Sequence, residues 1–255
     1  ATIDGGDRSV ELGQDVILDG SPSTDPDNSP YPFLYEWGCR VGVQSAIDAS
    51  DTAECFENQL SIFSVNRPVL RLAGGKLNAG YYTFFLTVKK EPGIPGIPGP
   101  REDSTYVVIR VTKGSPAPAK VTVFPEKRKV NTADKIVLFA ETDPADTAPS
   151  YFWSLTAGDL DLDDPSAVLT SRTSAQLGLA VGVLTPGSTY RFSVTVLSDL
   201  YISAGFTGVE VLVNSPPSSG GLSVVPAIGL AGNTTFRLTS FNWADDAEDL
   251  PLSYQ

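Results

Sequence analysis

Tyr35-Glu36-Trp37 followed by Gly80-Tyr81-Tyr82-Thr83-Phe84-Phe85-Leu86-Thr87-Val88 returns as Tyr151-Phe152-Trp153 followed by Gly187-Ser188-Thr189-Tyr190-Arg191-Phe192-Ser193-Val194-Thr195-Val196. A third copy starts at Leu252-Ser253-Tyr254-Gln255 and stops where its Tyr-x-Trp should finish. Self-similarity on this scale makes the protein a string of like modules, each one supersecondary unit repeated. Tyr254 stands in register with Tyr35 and Tyr151, so the third module is expected to be incomplete and the chain to be a window on a longer array. The absence of Met agrees, since Ala1 then does not read as a natural start.

Working outward from the repeats, the first module occupies residues 1–113. Its expected strands are Val10 to Leu12, Asp15 to Leu18, Phe33 to Val41, Val69 to Leu72, the run through Tyr82, Phe84, Leu86 and Val88, and Tyr106 to Val111. In that run, alternation with Thr83, Phe85 and Thr87 puts one face more fully in the core. Residues 114–119 read as a short, stiff Pro-rich linker. The second module, 120–214, has expected strands at Val121 to Phe124, Lys135 to Ala140, Tyr151 to Leu155, Leu177 to Val183, Tyr190 to Leu197 and Gly208 to Val213. Residues 215–221 form a second linker. The third module, 222–255, supplies Leu222 to Val225 and Thr235 to Ser240. Pro92 to Pro100 reads as an extended, polyproline-like loop. No long helix is expected.

Short strands joined by turns, with 23 Gly and 20 Pro in 255 residues, fit two-sheet sandwiches of about 100 residues each. Trp37 and Trp153 would pack between the sheets on the third strand. Tyr82 and Tyr190 follow Leu77-x-x-Gly80 and Leu184-x-x-Gly187, where a tyrosine corner belongs, its hydroxyl bonding back to the chain a few residues upstream. These aromatics read as core rather than as ligand contacts. An antibody-type bridge would need Cys two residues after the corner Tyr, and positions 84 and 192 are Phe. The expected fold is therefore all-β: tandem immunoglobulin-like or fibronectin-III-like β-sandwiches, nearer fibronectin type III or PKD modules than antibody domains, with the third one incomplete.

The two cysteines, Cys39 and Cys55, would close a loop of about 15 residues, worth about 3 kcal/mol in the chain-entropy model. Such a disulfide implies an oxidising, extracellular setting; two buried thiols are the alternative. With no His and only two Cys, a zinc site lacks ligands. A net charge of −12 argues against nucleic acid, which needs clustered Lys and Arg. No apolar run reaches the roughly 20 residues that span a bilayer.

An acidic turn precedes the Trp strand in each module: Ser21 to Asn28, Asp143 to Asp146, and Asp245-Asp246-Ala247-Glu248-Asp249. Crowded carboxylates can chelate Ca²⁺, which takes six to eight oxygens. Asp, Ser and Thr also cap turns with no metal at all. Asp245, Asp246, Glu248 and Asp249 are the best candidate ligands, and calcium is the one cofactor for which the sequence leaves room. Asp159-Leu160-Asp161-Leu162-Asp163-Asp164 reads as an exposed edge strand protected by charge. Asn233-Thr234-Thr235 is an N-glycosylation sequon. Catalysis finds little: no His excludes Ser-His-Asp and Cys-His pairs, and the Gly run at 93–99 lacks a phosphate-binding Lys-Ser/Thr. The chain is expected not to be an enzyme.

Gly13-Gln14-Asp15-Val16-Ile17-Leu18-Asp19-Gly20-Ser21-Pro22-Ser23-Thr24-Asp25-Pro26-Asp27, with Tyr35-x-Trp37-x-Cys39 after it, resembles the start of the REJ (receptor for egg jelly) region of polycystin-1-like membrane proteins and sea-urchin sperm receptors. Val213-Asn214-x-Pro216-Pro217-x-x-Gly220-Gly221 and Trp243-x-Asp245-Asp246, then Asp249-Leu250-Pro251-Leu252-x-Tyr254, resemble its interior. The resemblance implies an extracellular or cell-surface stalk, on a ciliary, sperm or flagellar membrane, attached to the membrane only through other parts of the parent chain. Its expected partners are other extracellular proteins or neighbouring modules of the same large chain. A structural and adhesive spacer is the first functional reading; a ligand-binding module for glycan or protein is the second.

Overall fold

The computed structural model describes residues 1–25, 30–43, 55–56, 66–90, 101–126, 129–142, 149–246 and 249–253. The Pro92 to Pro100 loop, the Asp143 to Asp146 turn, Asp27, Glu248 and Tyr254 lie outside them. The described residues form β-sheets with no α-helix.

The first core lies between a large and a small sheet. The strands are β1 (Arg8–Glu11), β2 (Val16–Asp19), β3 (Leu34–Val41), β4 (Val69–Leu72), β5 (Gly80–Lys90) and β6 (Arg101–Thr112). β3, β5, β6 and β1 are neighbours in one sheet, and β2 pairs with β4 in the other. Tyr82, Phe84, Leu86 and Val88 point inward from β5, as the period of two requires. They pack beside Trp37 of β3 and meet Val16, Leu18 and Leu70 across the gap. Each such side chain, once fully buried, contributes about 1.5–3 kcal/mol.

The second core repeats the plan. Its strands are β7 (Lys120–Phe124), β8 (Lys129–Val130), β9 (Val137–Glu141), β10 (Ser150–Ala157), β11 (Gln176–Gly178), β12 (Thr189–Leu197) and β13 (Gly205–Val213). β10, β12 and β13 form the large sheet, with β8 beside β13; β11, β9 and β7 form the small one. Trp153, Tyr190, Phe192 and Leu138 are all 1% exposed or less. A third, separate hairpin, β14 (Gly221–Val225) with β15 (Arg237–Phe241), completes the described strands.

The two large sheets are not separate. β1 runs parallel to β6 over Arg8↔Ile109 to Glu11↔Thr112, and antiparallel to β13 at Arg8↔Thr207. One eight-stranded sheet therefore passes from the first core to the second. The expected linker is part of the same joint. Pro116 bridges Ser203, Ala117 N donates to Ser203 O, and Ser203 N donates to Ser115 O. A Cβ on Gly205 would run into the Ala117 carbonyl, so only glycine lets these backbones meet.

Two expectations need correction, and one short strand was not expected. Residues 160–164 form a turn, not an edge strand. Their carboxylates serve local donors instead: Asp161 accepts from Asp163 N, and Asp164 accepts from Ser166 N and Oγ. Leu162 turns inward to the second core. The strand expected from Leu177 to Val183 is shorter: β11 ends at Gly178, Leu179 makes only a single bridge to Val168, and the chain turns at Gly182 (φ +82°). The two-residue β8 had no periodicity by which to be found.

Candidate functional site

Three of the buried polar side chains, Asp7, Arg191 and Ser193, converge on the joint. Along β12, Tyr190, Phe192, Val194 and Val196 face the second core. The opposite face would normally meet water, yet Arg191 is 8% exposed and Ser193 wholly buried. The first sandwich covers them. Asp7, just before β1, is 3% exposed and accepts from Val108 N at 2.7 Å.

Arg191 joins three groups. Its Nη1 lies 3.7 Å from Asp7 Oδ1, and its Nη2 donates to Glu210 Oε2 at 3.0 Å. Arg191 and Glu210 are direct cross-strand partners on β12 and β13. The guanidinium also lies over the Tyr106 ring, 3.8 Å from its centroid, and donates to the Tyr106 carbonyl. This combines cation–π and charge-assisted contacts in one desolvated place. Burial pushes the Asp7 carboxyl above the ordinary carboxylate range, with Arg191 opposing it, and pushes the Tyr106 hydroxyl up as well. Burial also lowers Arg8.

A second contact lies further along the joint. Arg110 donates to Ala204 O at 3.1 Å and stacks over Tyr81, whose ring meets Phe206 edge-on with centroids 5.8 Å apart. Both contacts use side chains that would otherwise be solvated, so the two sandwiches shield one another.

The acidic turn ahead of the third Tyr is also engaged. Asp245, Asp246 and Asp249 each bring a carboxylate oxygen within 4.8 Å of the others. Lys129 Nζ reaches in from β8, 2.6 Å from Asp246 and 3.2 Å from Asp249. A Ca²⁺ ion would need six to eight oxygens and would have to displace that ammonium. The first acidic turn shows the same economy: Asp25 meets Lys90 Nζ at 2.9 Å and Arg101 at 3.4 Å.

The remaining sequence candidates fall in different places. Trp37 Nε1 donates to Arg67 O and Trp153 Nε1 to Ser174 O, each at 2.9 Å. Tyr82 Oη accepts from Asn78 N and donates to Asn78 O, while Tyr190 Oη accepts from Thr185 N. Asn233 is exposed on the turn before β15. Cys39 and Cys55 are joined in a disulfide across a separation of 16 residues. Reducing it is expected to lower stability by about 3 kcal/mol, the chain-entropy value for a loop of this size. Denaturant titration with and without reductant, with alkylation and mass spectrometry to count thiols, checks this; an unchanged midpoint with two alkylated thiols would refute it.

Comparison with known proteins places the whole assembly. The family described as "REJ domain" matches residues 1–255. The chain belongs to the REJ domain family. The human polycystin family receptor for egg jelly is 25% identical over 269 residues, covering 98% of this chain and 11% of that protein. Human polycystin-1 is 27% identical over 267 residues, covering 99% of this chain and 6% of that protein. This REJ chain thus spans about a tenth or less of the length of these relatives. Among solved structures, the amphioxus IgVJ-C2 molecule matches at 12% identity and a TM-score of 0.26, over 80% of this chain and 99% of that one. Drosophila N-cadherin EC1-3 matches at 12% identity and a TM-score of 0.31, over 84% and 65%. The sandwich description of the REJ chain rests on its own strands and cores.

Sequence reasoning missed Asp7, Tyr106, Arg191 and Glu210. One signal was present. Aligned on the corner tyrosines, Arg191 occupies the position of Thr83, a charge between two core aromatics of an otherwise apolar strand. A cation in that setting needs a covering partner.

Proposed function

We propose that this REJ segment is a non-catalytic spacer and contact surface in the extracellular part of a large cell-surface protein of the polycystin-1 type. The carrying observation is the joint: β1 pairs with both β6 and β13, and the 114–119 segment is laced to Ser203. Two sandwiches locked by backbone pairing hold a fixed direction, as a spacer must. A freely jointed pair would instead show an exposed, unpaired linker. The disulfide fits an oxidising compartment.

The contact surface is the β14–β15 hairpin. Leu222 and Leu238, on one face of the ribbon, are each 62% exposed, and Val224, directly opposite Leu238, is 41% exposed. A two-stranded ribbon is marginal alone, and a contiguous apolar surface of this kind marks a place where protein packs. Neighbouring modules of the parent chain are the cover that its aliphatic composition fits best. Phe236, Phe241 and Trp243 on the same hairpin are also partly exposed, which keeps glycan stacking as the second reading.

Small-angle scattering of the chain tests the spacer. One extended shape, dominated by a single arrangement of the two sandwiches, is expected. A profile that needs a broad ensemble of inter-sandwich angles would rule the spacer out.

A further inference from the structure

Asp7 Oδ2 is buried and makes no hydrogen bond of good geometry among the described residues, the nearby Ser193 hydroxyl being its one weak polar neighbour, and the Tyr106 hydroxyl makes none either. The surroundings of Oδ2 are specific. A Cβ on Gly208 would lie 2.7 Å from Asp7 Oδ2, 3.0 Å from Phe192 O and 3.1 Å from Ser193 Oγ. Three oxygens thus ring the space that only a glycine leaves open, and one belongs to a carboxyl group. Carboxylate oxygens are acceptors only, whereas a protonated carboxyl donates. On protonation this weakly satisfied acceptor becomes a donor, in a space bordered by a backbone carbonyl and a hydroxyl. A recess of about 190 Å³, lined by Asp7, Tyr106, Arg191, Gly208 and Glu210, adjoins the cluster.

We propose that the joint between the two sandwiches is an acid-tightened latch in which Asp7 takes up a proton and closes more firmly on β12 and β13. The charged groups around it are Arg191 on β12, Glu210 on β13, and Arg8 and Asp4 on its own segment; the Tyr106 hydroxyl faces it from β6. Arg191 keeps Glu210 as a partner when Asp7 is neutral. Opening the joint returns Asp7 to water, where it ionises in the ordinary carboxylate range. Burial holds it higher when the joint is closed. Between those two values the closed joint binds more protons than the open one, so the closed state gains as pH falls.

The inference rests on the spacer reading and is tested apart from it. Spin labels at exposed Lys76 and Val181, one on each sandwich, report the distance distribution across the joint at pH 7.4 and 5.0. The wild type is expected to show a several-fold fall in its broad component on acidification. Asp7→Asn, neutral at both pH values, is expected to show no pH response. A wild-type distribution that is narrow and identical at both pH values overturns the latch and leaves the spacer standing. A distribution that is broad at both pH values overturns both. A wild type without the response overturns the latch even if Asp7→Asn does not fold, and an equal response in a folded Asp7→Asn overturns it too.

Discussion

Trp153→Ala removes about 3–5 kcal/mol from the second sandwich, the cost of truncating a large aromatic in a well-packed core. Trp153 is fully buried on β10, opposite Val194, among the side chains of the second core. Its ring fills the space between the two sheets, and its Nε1 donates to Ser174 O. Truncation leaves a cavity that flanking strands cannot close without breaking ladder bonds, and it strands the Ser174 carbonyl. A domain of this size has a total stability of about 5–15 kcal/mol, so the loss takes a large share. Trp153→Phe separates the two contributions: it retains most of the volume and leaves only the carbonyl without its donor, a cost of about 1–3 kcal/mol. Guanidinium unfolding of both variants measures the difference. A loss below about 1 kcal/mol for Trp153→Ala would mean that the Trp does not anchor the core.

The features that make the cores could be read because they are local and periodic. On β5 and β12 a period of two names the inward residues, and the Tyr-x-Trp pairs name the strand beneath them. The Cys39–Cys55 loop is short enough to propose from spacing alone. The joint could not be read in this way. Asp7 and Val108 are 101 residues apart, and Lys129 and Asp246 are 117 apart. No pattern within either segment points to the other. Asp7 sits in Asp4-Gly5-Gly6-Asp7, which reads as a turn, and Gly208 reads as a weak strand residue until its neighbour is known. The acidic runs are hard to read for the same reason: the run through Asp161 and Asp164 reads as an edge strand and the Asp246 turn as either turn or chelator, while the fold supplies amide, hydroxyl and ammonium donors from nearby or from far away.

Arg191→Met lowers stability by about 3–5 kcal/mol at pH 7.4, because it removes one partner from a buried charge network and leaves the other behind. Met keeps much of the stem volume and its contact with the Tyr106 ring, so the loss is chiefly electrostatic. Glu210 is 41% exposed and can turn to water, but Asp7, at 3%, cannot. Asp7 would then keep the Val108 amide and the nearby Ser193 hydroxyl but lose its closest buried countercharge. The guanidinium opposes the upward push of burial on Asp7, so its removal raises that carboxyl further. Above the raised value Asp7 is charged and the variant bears the full loss; below it Asp7 is neutral and the loss shrinks. The gap between wild type and Arg191→Met is therefore expected to narrow as pH falls from 7.4 toward 5. Adding Asp7→Asn to Arg191→Met should recover most of the stability at pH 7.4, since no unpaired charge remains. Denaturant titrations of the single and double variants across that range decide the matter. A gap that stays constant with pH, or a double variant no more stable than the single one, would show that Arg191 supports the joint by packing alone.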